Sequence, residues 1–379
     1  MVTSRSTMVR RVVAALDATP SRIPVLVGGC GSGRTTLLRQ LVDRGRGPSQ
    51  SIDVERIATT PERFLQAVTS ASPFRLDHQP APGARNAFDA TLDFLSRARA
   101  SGDEPVTFLL DEFLELRTFE SFPGLRRVLD DLIRSIALSG NRLVLSSRYV
   151  TRTLRLLRDH SSRFEVIHMP GLTTEDTLDV LGPWTGSDPH EAEHAARSIH
   201  ALTDGRPAYV AALVDELTAM RAQGGGDPVS ALASAMAPGG KLSQLCHYCY
   251  ELRLHRARGY GALKAILEIL GEDEGLTLTE ISRRLQRTPG STKDYLSWLE
   301  DVDLVLSRQK RYSFIDPLLR VWVRLHCRAT APTDDDVARE VHRYASPRLP
   351  HPEPALAMAA AGTGASEEEK KPWGIIEID

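Results

Sequence analysis

The chain has little of what secreted and membrane proteins rely on. Its 379 residues include only four cysteines (Cys30, Cys246, Cys249 and Cys327), too few and too scattered for a disulfide scaffold. No apolar run approaches the roughly 20 residues that a membrane span needs. Arg10 and Arg11 are followed only by a short VVAAL before Asp17, so a signal peptide is not expected and a cytoplasmic location is. Nor is there an excess of one charge. Lys and Arg total 47 against 49 Asp and Glu, a net of −2, which excludes a polycation coating nucleic acid with its whole surface. Any such contact must come from a local basic face. What is present is ordinary globular material, 41% hydrophobic and 25% charged, in a chain long enough for two sizeable cores.

Periodicity divides the chain. Apolar strands are expected at 23–27, 51–58, 106–113, 142–147 and 164–169. Between them lie helical patterns at 8–18, 35–45, 61–70, 87–100, 121–138 and 150–158, with a Pro- and Gly-rich loop at 72–86. Strands alternating with helices of this length predict an α/β fold, a parallel sheet with helices on both faces. After Pro170 the pattern turns helical, at 174–181, 190–203 and 207–222, then at 239–256 beyond the break at Gly224–Gly226.

The first chemical motif is VLVGGCGSGRTTLL (25–38), a strand, a glycine-rich turn and a helix start. Gly28-x-x-x-x-Gly33-Arg34-Thr35 fits the phosphate-loop spacing G-x-x-x-x-G-K-[ST] except that Arg34 replaces the lysine. Glycines at 28, 29, 31 and 33 let the backbone curl so that amides converge on phosphate oxygens, and the helix that follows adds its positive end. The stretch Gly28, Gly29, Cys30, Gly31, Ser32, Gly33, Arg34, Thr35 and Thr36 is therefore the expected binding site for ATP. Thr35 is a candidate magnesium ligand. A guanidinium is broader and planar where an ammonium is compact, so Arg34 can neutralise phosphate but leaves turnover open. The plain alternative is a tight strand-to-helix connection.

The second motif is Val106–Glu112, an apolar strand ending in Asp111-Glu112. Carboxylates at the C-terminal edge of a buried strand stand where ligands of open α/β sheets sit. Asp111 is expected to hold Mg²⁺ and Glu112 to orient and deprotonate water. The alternative is a pair of acids that opens a solvated loop. Ser146 or Ser147, ending RLVLSS, offers a hydroxyl between that pair and a terminal phosphate; Ser147 is the candidate carried forward. Arg163 is a candidate arginine finger acting on a neighbouring subunit, or else an exposed loop residue.

Together, GGCGSGRTTLL, FLLDE, LVLSSR and LTDGRPAYVAAL resemble AAA+-related ATPases of the archaeal-ATPase and STAND type, which are similar to origin-recognition ATPases. The resemblance implies a P-loop core over 1–172 and a helical lid over 173–258, in which Gly205-Arg206-Pro207 opens a helix behind the nucleotide. It also implies a winged helix over 259–328. Arg206 would reach the phosphates as a second sensor. Residues 329–379 are expected to be a mostly disordered tail with a weak helix at 334–344 and the terminal apolar motif PWGIIEID.

The winged helix is also legible from its own residues: helix 259–270, helix 276–285, helix 291–305 and a hairpin in LSRQKRYSFI. Arg283, Arg284, Arg287, Lys293, Arg308, Lys310 and Arg311 give it a basic face suited to a DNA backbone. Acids at 294, 300, 301 and 303 oppose DNA on the third helix and leave a protein client or self-association open. Cys246-x-x-Cys249 has metal-like spacing with His255 and Cys327, but lies in a helix pattern where packed thiols are the simpler expectation.

Overall fold

The computed structural model describes residues 3–44, 47–74, 81–100, 104–160, 162–182, 189–254, 257 and 259–349. The PWGIIEID motif, His255 and most of the expected disordered tail lie outside them.

The chain begins with α1 (Thr3–Leu16), β1 (Ile23–Val27) and α2 (Arg34–Arg44), then β2 (Ser49–Asp53), α3 (Val54–Ile57), α4 (Pro61–Ser70) and α5 (Ala84–Arg97). β3 (Thr107–Asp111), a 3₁₀ segment (Phe113–Ser121), α6 (Val128–Ala137), β4 (Arg142–Ser147), α7 (Val150–Leu157) and β5 (Phe164–His168) complete the sheet. The five strands are parallel in the order β2-β3-β4-β1-β5, so β4 separates the glycine-loop strand β1 from β3. Alternate residues face opposite layers. Leu26, Leu109, Val144 and Ile167 pack under α1 and α2 with Val12, Leu37 and Leu38. Val25, Phe108, Leu110 and Leu145 face the other layer with Phe64, Phe88 and Phe119.

A helical segment follows: α8 (Thr174–Leu181), α9 (Pro189–Thr203), α10 (Pro207–Ala222), α11 (Pro228–Met236) and α12 (Lys241–Leu254). Next come α13 (Tyr260–Glu272), β6 (Leu276–Thr277), α14 (Leu278–Leu285), α15 (Pro289–Asp301), β7 (Val305–Arg308), β8 (Arg311–Phe314) and α16 (Pro317–His326). β6, β8 and β7 pair antiparallel, and Gln309 and Lys310 turn the wing with φ of 51° and 63°. A capping box between Thr277 and Glu280 starts α14. The fold is a P-loop NTPase sheet with helices on both faces, followed by helices and a winged helix-turn-helix.

Several sequence expectations move. The strand expected over 51–58 ends at Asp53, whose carboxylate accepts from the Arg56 amide and turns the chain into α3. The strand expected to 113 stops at Asp111, because Glu112 turns into the left-handed region at φ 56°. The helix expected over 121–138 covers only α6, after the 3₁₀ segment and the turn at Gly124. α11 fills a stretch with no expected element, and the helix expected from 239 begins at Lys241. Residues 334–345 form α17 (Asp334–Ala345), which is firmly packed. Val337, Val341 and Ala345 are buried, Glu340 pairs with Arg324 at 2.8 Å, and the Tyr344 hydroxyl donates to the Leu202 carbonyl at 2.7 Å.

Candidate nucleotide site

The glycine loop leaves β1 at the C-terminal edge of the sheet and enters α2 at Arg34. Gly31 and Gly33 hold φ of 74° and 85°, conformations that only glycine adopts freely. At Gly31 space is short as well. A Cβ there would lie 2.7 Å from the Ala208 Cβ, because the Ala208 amide at the start of α10 donates to the Gly31 carbonyl at 3.1 Å. Arg5 braces the loop from α1, donating to the Ser32 carbonyl at 2.8 Å.

The two motifs meet. Thr35, in the first turn of α2, donates its hydroxyl to Asp111 Oδ2 at 2.7 Å. Arg34 reaches back to the Gly29 carbonyl at 2.8 Å and to Glu112 Oε1 at 2.5 Å, an ion pair in which both side chains are buried. Thr36 is exposed one residue further on. The strand end therefore lies beside the loop although β4 runs between their strands, since α2 projects its first turn across the edge.

Glu112 is the most constrained group in the site. Its backbone is left-handed, which is costly for a non-glycine residue at a buried position. Its second oxygen accepts from the Arg148 amide at 3.0 Å and lies 3.1 Å from Arg148 Nε. Burial opposes its charge, yet Arg34 and then Arg148 hold its pKa below the ordinary carboxylate value. Arg148 also pairs with Glu55, and despite its burial these two acids raise its own pKa.

Other expected site residues fall differently. Ser146 rather than Ser147 faces the acidic pair: its hydroxyl donates to Asp111 Oδ1 and accepts from the Glu112 amide at 3.2 Å. Ser147 points to the opposite face of β4, as strand alternation requires, and accepts from the Tyr149 amide. Arg163 lies at the opposite, N-terminal edge of the sheet, bonded to the carbonyls of Ser21 and Ser139. Arg206 borders the loop, its Cδ 3.9 Å from where a Gly31 Cβ would be. It pairs with Asp316, stacks 4.7 Å over the Tyr209 ring, and shares Asp316 with the Tyr209 hydroxyl at 2.7 Å.

Sequence reasoning missed Arg5, Arg148 and Arg253. Arg148 directly follows the serine strand and a buried acid needs a partner, which is the signal that was available. Arg253 on α12 carries none. It is buried, donates to the Asp303 carbonyl at 3.1 Å, and stands 3.4 Å from where a Gly29 Cβ would be. Asp303 in turn accepts from the Val150 amide and, at 3.2 Å, the Thr151 amide, so the winged helix caps α7 beside the site. Arg155 adds an ion pair to Asp301 at 2.6 Å.

A parallel sheet in this order, with a glycine loop after β1 and an acidic pair ending β3, defines the P-loop ATPase fold, here carrying a winged helix. Comparisons agree. The family model of the winged helix-turn-helix DNA-binding type matches residues 262–305. The chain is similar in structure to a Walker-type ATPase of Pyrococcus abyssi, at TM-score 0.62 and 17% identity, covering 84% of this chain and 95% of that one. Looser likenesses are to the Orc1 protein of Aeropyrum pernix in complex with DNA and to a RuvB mutant of Thermotoga maritima. The first has TM-score 0.45 and 16% identity over 95% of this chain and 94% of that one. The second has TM-score 0.40 and 12% identity over 83% and 93%. No curated protein sequence matches this chain. Among the described residues no helix is long and apolar enough to cross a membrane, and no cluster of three His, Cys, Asp or Glu side chains could hold a metal ion. The cysteines of the Cys246-x-x-Cys249 pattern are free, buried thiols, with Cys246 3.8 Å from the Tyr209 hydroxyl.

Proposed function

We propose that this protein binds ATP with Mg²⁺ at Gly28–Thr36 and uses the nucleotide as a conformational switch, with slow hydrolysis resetting it. The observation that carries the reading is the convergence of Thr35 on Asp111 and of Arg34 on Glu112 at one sheet edge. The hydroxyl and carboxylate oxygens of Thr35 and Asp111 suit a hard divalent cation, which when bound would neutralise phosphate charge. Arg34 then has two anions to serve. With its guanidinium on Glu112, the pair is self-neutralised; a γ-phosphate drawing Arg34 away would leave Glu112 charged and positioned, with Arg148 still holding one oxygen.

The switch follows from what touches the loop. Arg253 spans Gly29 and Asp303, and Ala208 spans Gly31 and the helix opened by Arg206, which grips Asp316. A ligand that moves the loop therefore acts on both ties to the winged helix. Hydrogen exchange tests this: Mg-ATP is expected to deprotect the Val150 and Thr151 amides, now capped by Asp303, by at least about tenfold, the size of a 1.4 kcal/mol shift. Unchanged exchange at saturating ATP rejects the switch.

DNA is the second reading, favoured by the match at 262–305 and by an exposed basic face. Arg283, Arg287, Lys293, Arg308 and Lys310 are all exposed, with Arg283 and Arg287 flanking the start of α15. If these residues meet phosphates, Arg308→Ala with Lys310→Ala weakens duplex binding across sequences and lowers the salt slope by about two. An unchanged slope argues for a protein client instead.

A further inference from the structure

A cavity of about 470 Å³ lies where the 3₁₀ segment after β3 and the start of α7 face α12 and α15. Its size falls within the roughly 300–1,000 Å³ of small-ligand sites. No residue of Gly28–Thr36 lines it. Arg117, Tyr149, Arg152, Arg253 and Trp298 do, and Glu115 is the one acid among the lining residues.

Two of these cations lack an anion. Arg117 pairs with Glu120 at 3.1 Å, but neither Arg152 nor Arg253 forms an ion pair among the described residues. Arg253 is buried; it donates to the Asp303 carbonyl at 3.1 Å, and its Nε has no hydrogen-bond partner. Arg152 is half-buried and rests 5.3 Å over the Tyr149 ring. Asp301 on α15 is taken by Arg155 at 2.6 Å. Burial and then Arg117 hold the Arg152 pKa below its ordinary value, as expected of a guanidinium with too little negative charge beside it. Buried charges are ordinarily paired, so a wall of this kind is incomplete without an anion.

The chemistry of the wall selects the ligand. A guanidinium binds phosphate oxygens with paired N–H donors. Two guanidiniums without partners match the charge of about −1.5 to −2 on a phosphate monoester near pH 7. The Tyr149 hydroxyl, which no described residue bonds, can donate to the same oxygens. Trp298 is half-buried and offers a flat ring on which a base can stack. We propose that this cavity is a second nucleotide site, taking a nucleoside monophosphate with its phosphate toward Arg152 and Arg253 and its base against Trp298. The site shares no lining residue with the glycine loop, so it stands whether or not that loop holds ATP.

The test titrates the full chain with AMP in EDTA, which removes the magnesium that the glycine loop is expected to use, and follows tryptophan fluorescence and heat. Saturable binding is expected, with a quench that disappears in Trp298→Phe. Inorganic phosphate alone and adenosine alone should each bind at least about tenfold more weakly, since each makes only part of the contacts. Arg152→Ala should weaken AMP by at least about tenfold, the scale of one hydrogen bond to a charged group. Its melting temperature is expected to equal or exceed the parent's, because an unpaired, half-buried charge is gone. AMP binding that Arg152→Ala leaves intact, a quench that survives Trp298→Phe, or no saturation at millimolar AMP overturns the site. So does a single-stranded oligonucleotide that binds through Arg152 while AMP does not, which makes the cavity part of a nucleic-acid path instead. Failure of the glycine loop to bind Mg-ATP rejects the function proposed above and leaves the AMP result to be judged on its own.

Discussion

Replacing Arg34 by alanine is expected to cost the protein both stability and nucleotide. The guanidinium pairs with Glu112 at 2.5 Å where both side chains are buried, and removing one member of a buried pair typically costs about 3–5 kcal/mol. Arg148 remains on the second Glu112 oxygen and lessens the loss without removing it. Arg34→Lys should recover much of both properties, since it restores the charge, though not the reach to Gly29. The pH dependence supplies an internal control. Glu112 has a folded pKa below its unfolded value, so its contribution is complete above the unfolded value and fades as pH falls through the folded one. Denaturant unfolding curves from pH 7 down to 3 should therefore show the parent losing stability on acidification and Glu112→Gln losing less. Equal pH slopes in parent and variant contradict the pairing as a source of stability.

Glu112→Gln is expected to lower ATP turnover by about 10²–10⁴-fold, the range of a positioned general base, while leaving ATP affinity equal or tighter. The amide keeps the shape and can still accept from the Arg148 amide, but it cannot take a proton, and it releases Arg34 from its ion pair. Tighter binding with lost turnover would show that Arg34 is shared between Glu112 and phosphate. Turnover that survives the substitution would place the base elsewhere and leave Glu112 a structural acid.

The pieces that sequence made legible are those with short-range chemistry. The glycine spacing, the apolar strand ending in Asp111-Glu112, and the capping box that starts α14 each depend on residues within a few positions of one another. The parallel sheet was legible for the same reason, from strands alternating with helices. What escaped depends on distant parts of the chain. Which serine of β4 faces Asp111 depends on the register of β4 against β3, in which Leu110 lies opposite Leu145. Arg206 reads as a residue of the nucleotide side from its Gly-x-Pro setting, but its partner Asp316 stands 110 residues later, out of reach of any local pattern. Arg253 sits in an unremarkable helix and gains its place only when α12 packs against the loop. α17 looks like part of a polar tail until Arg324 supplies Glu340 with a partner.

Titration calorimetry of ATP into the protein, with and without Mg²⁺ and beside Asp111→Ala, addresses the central claim most directly. A saturable, magnesium-dependent heat in the parent and loss of that magnesium dependence in the variant are the predicted result. No binding at millimolar Mg-ATP, or binding that is indifferent to both the cation and Asp111, would contradict it.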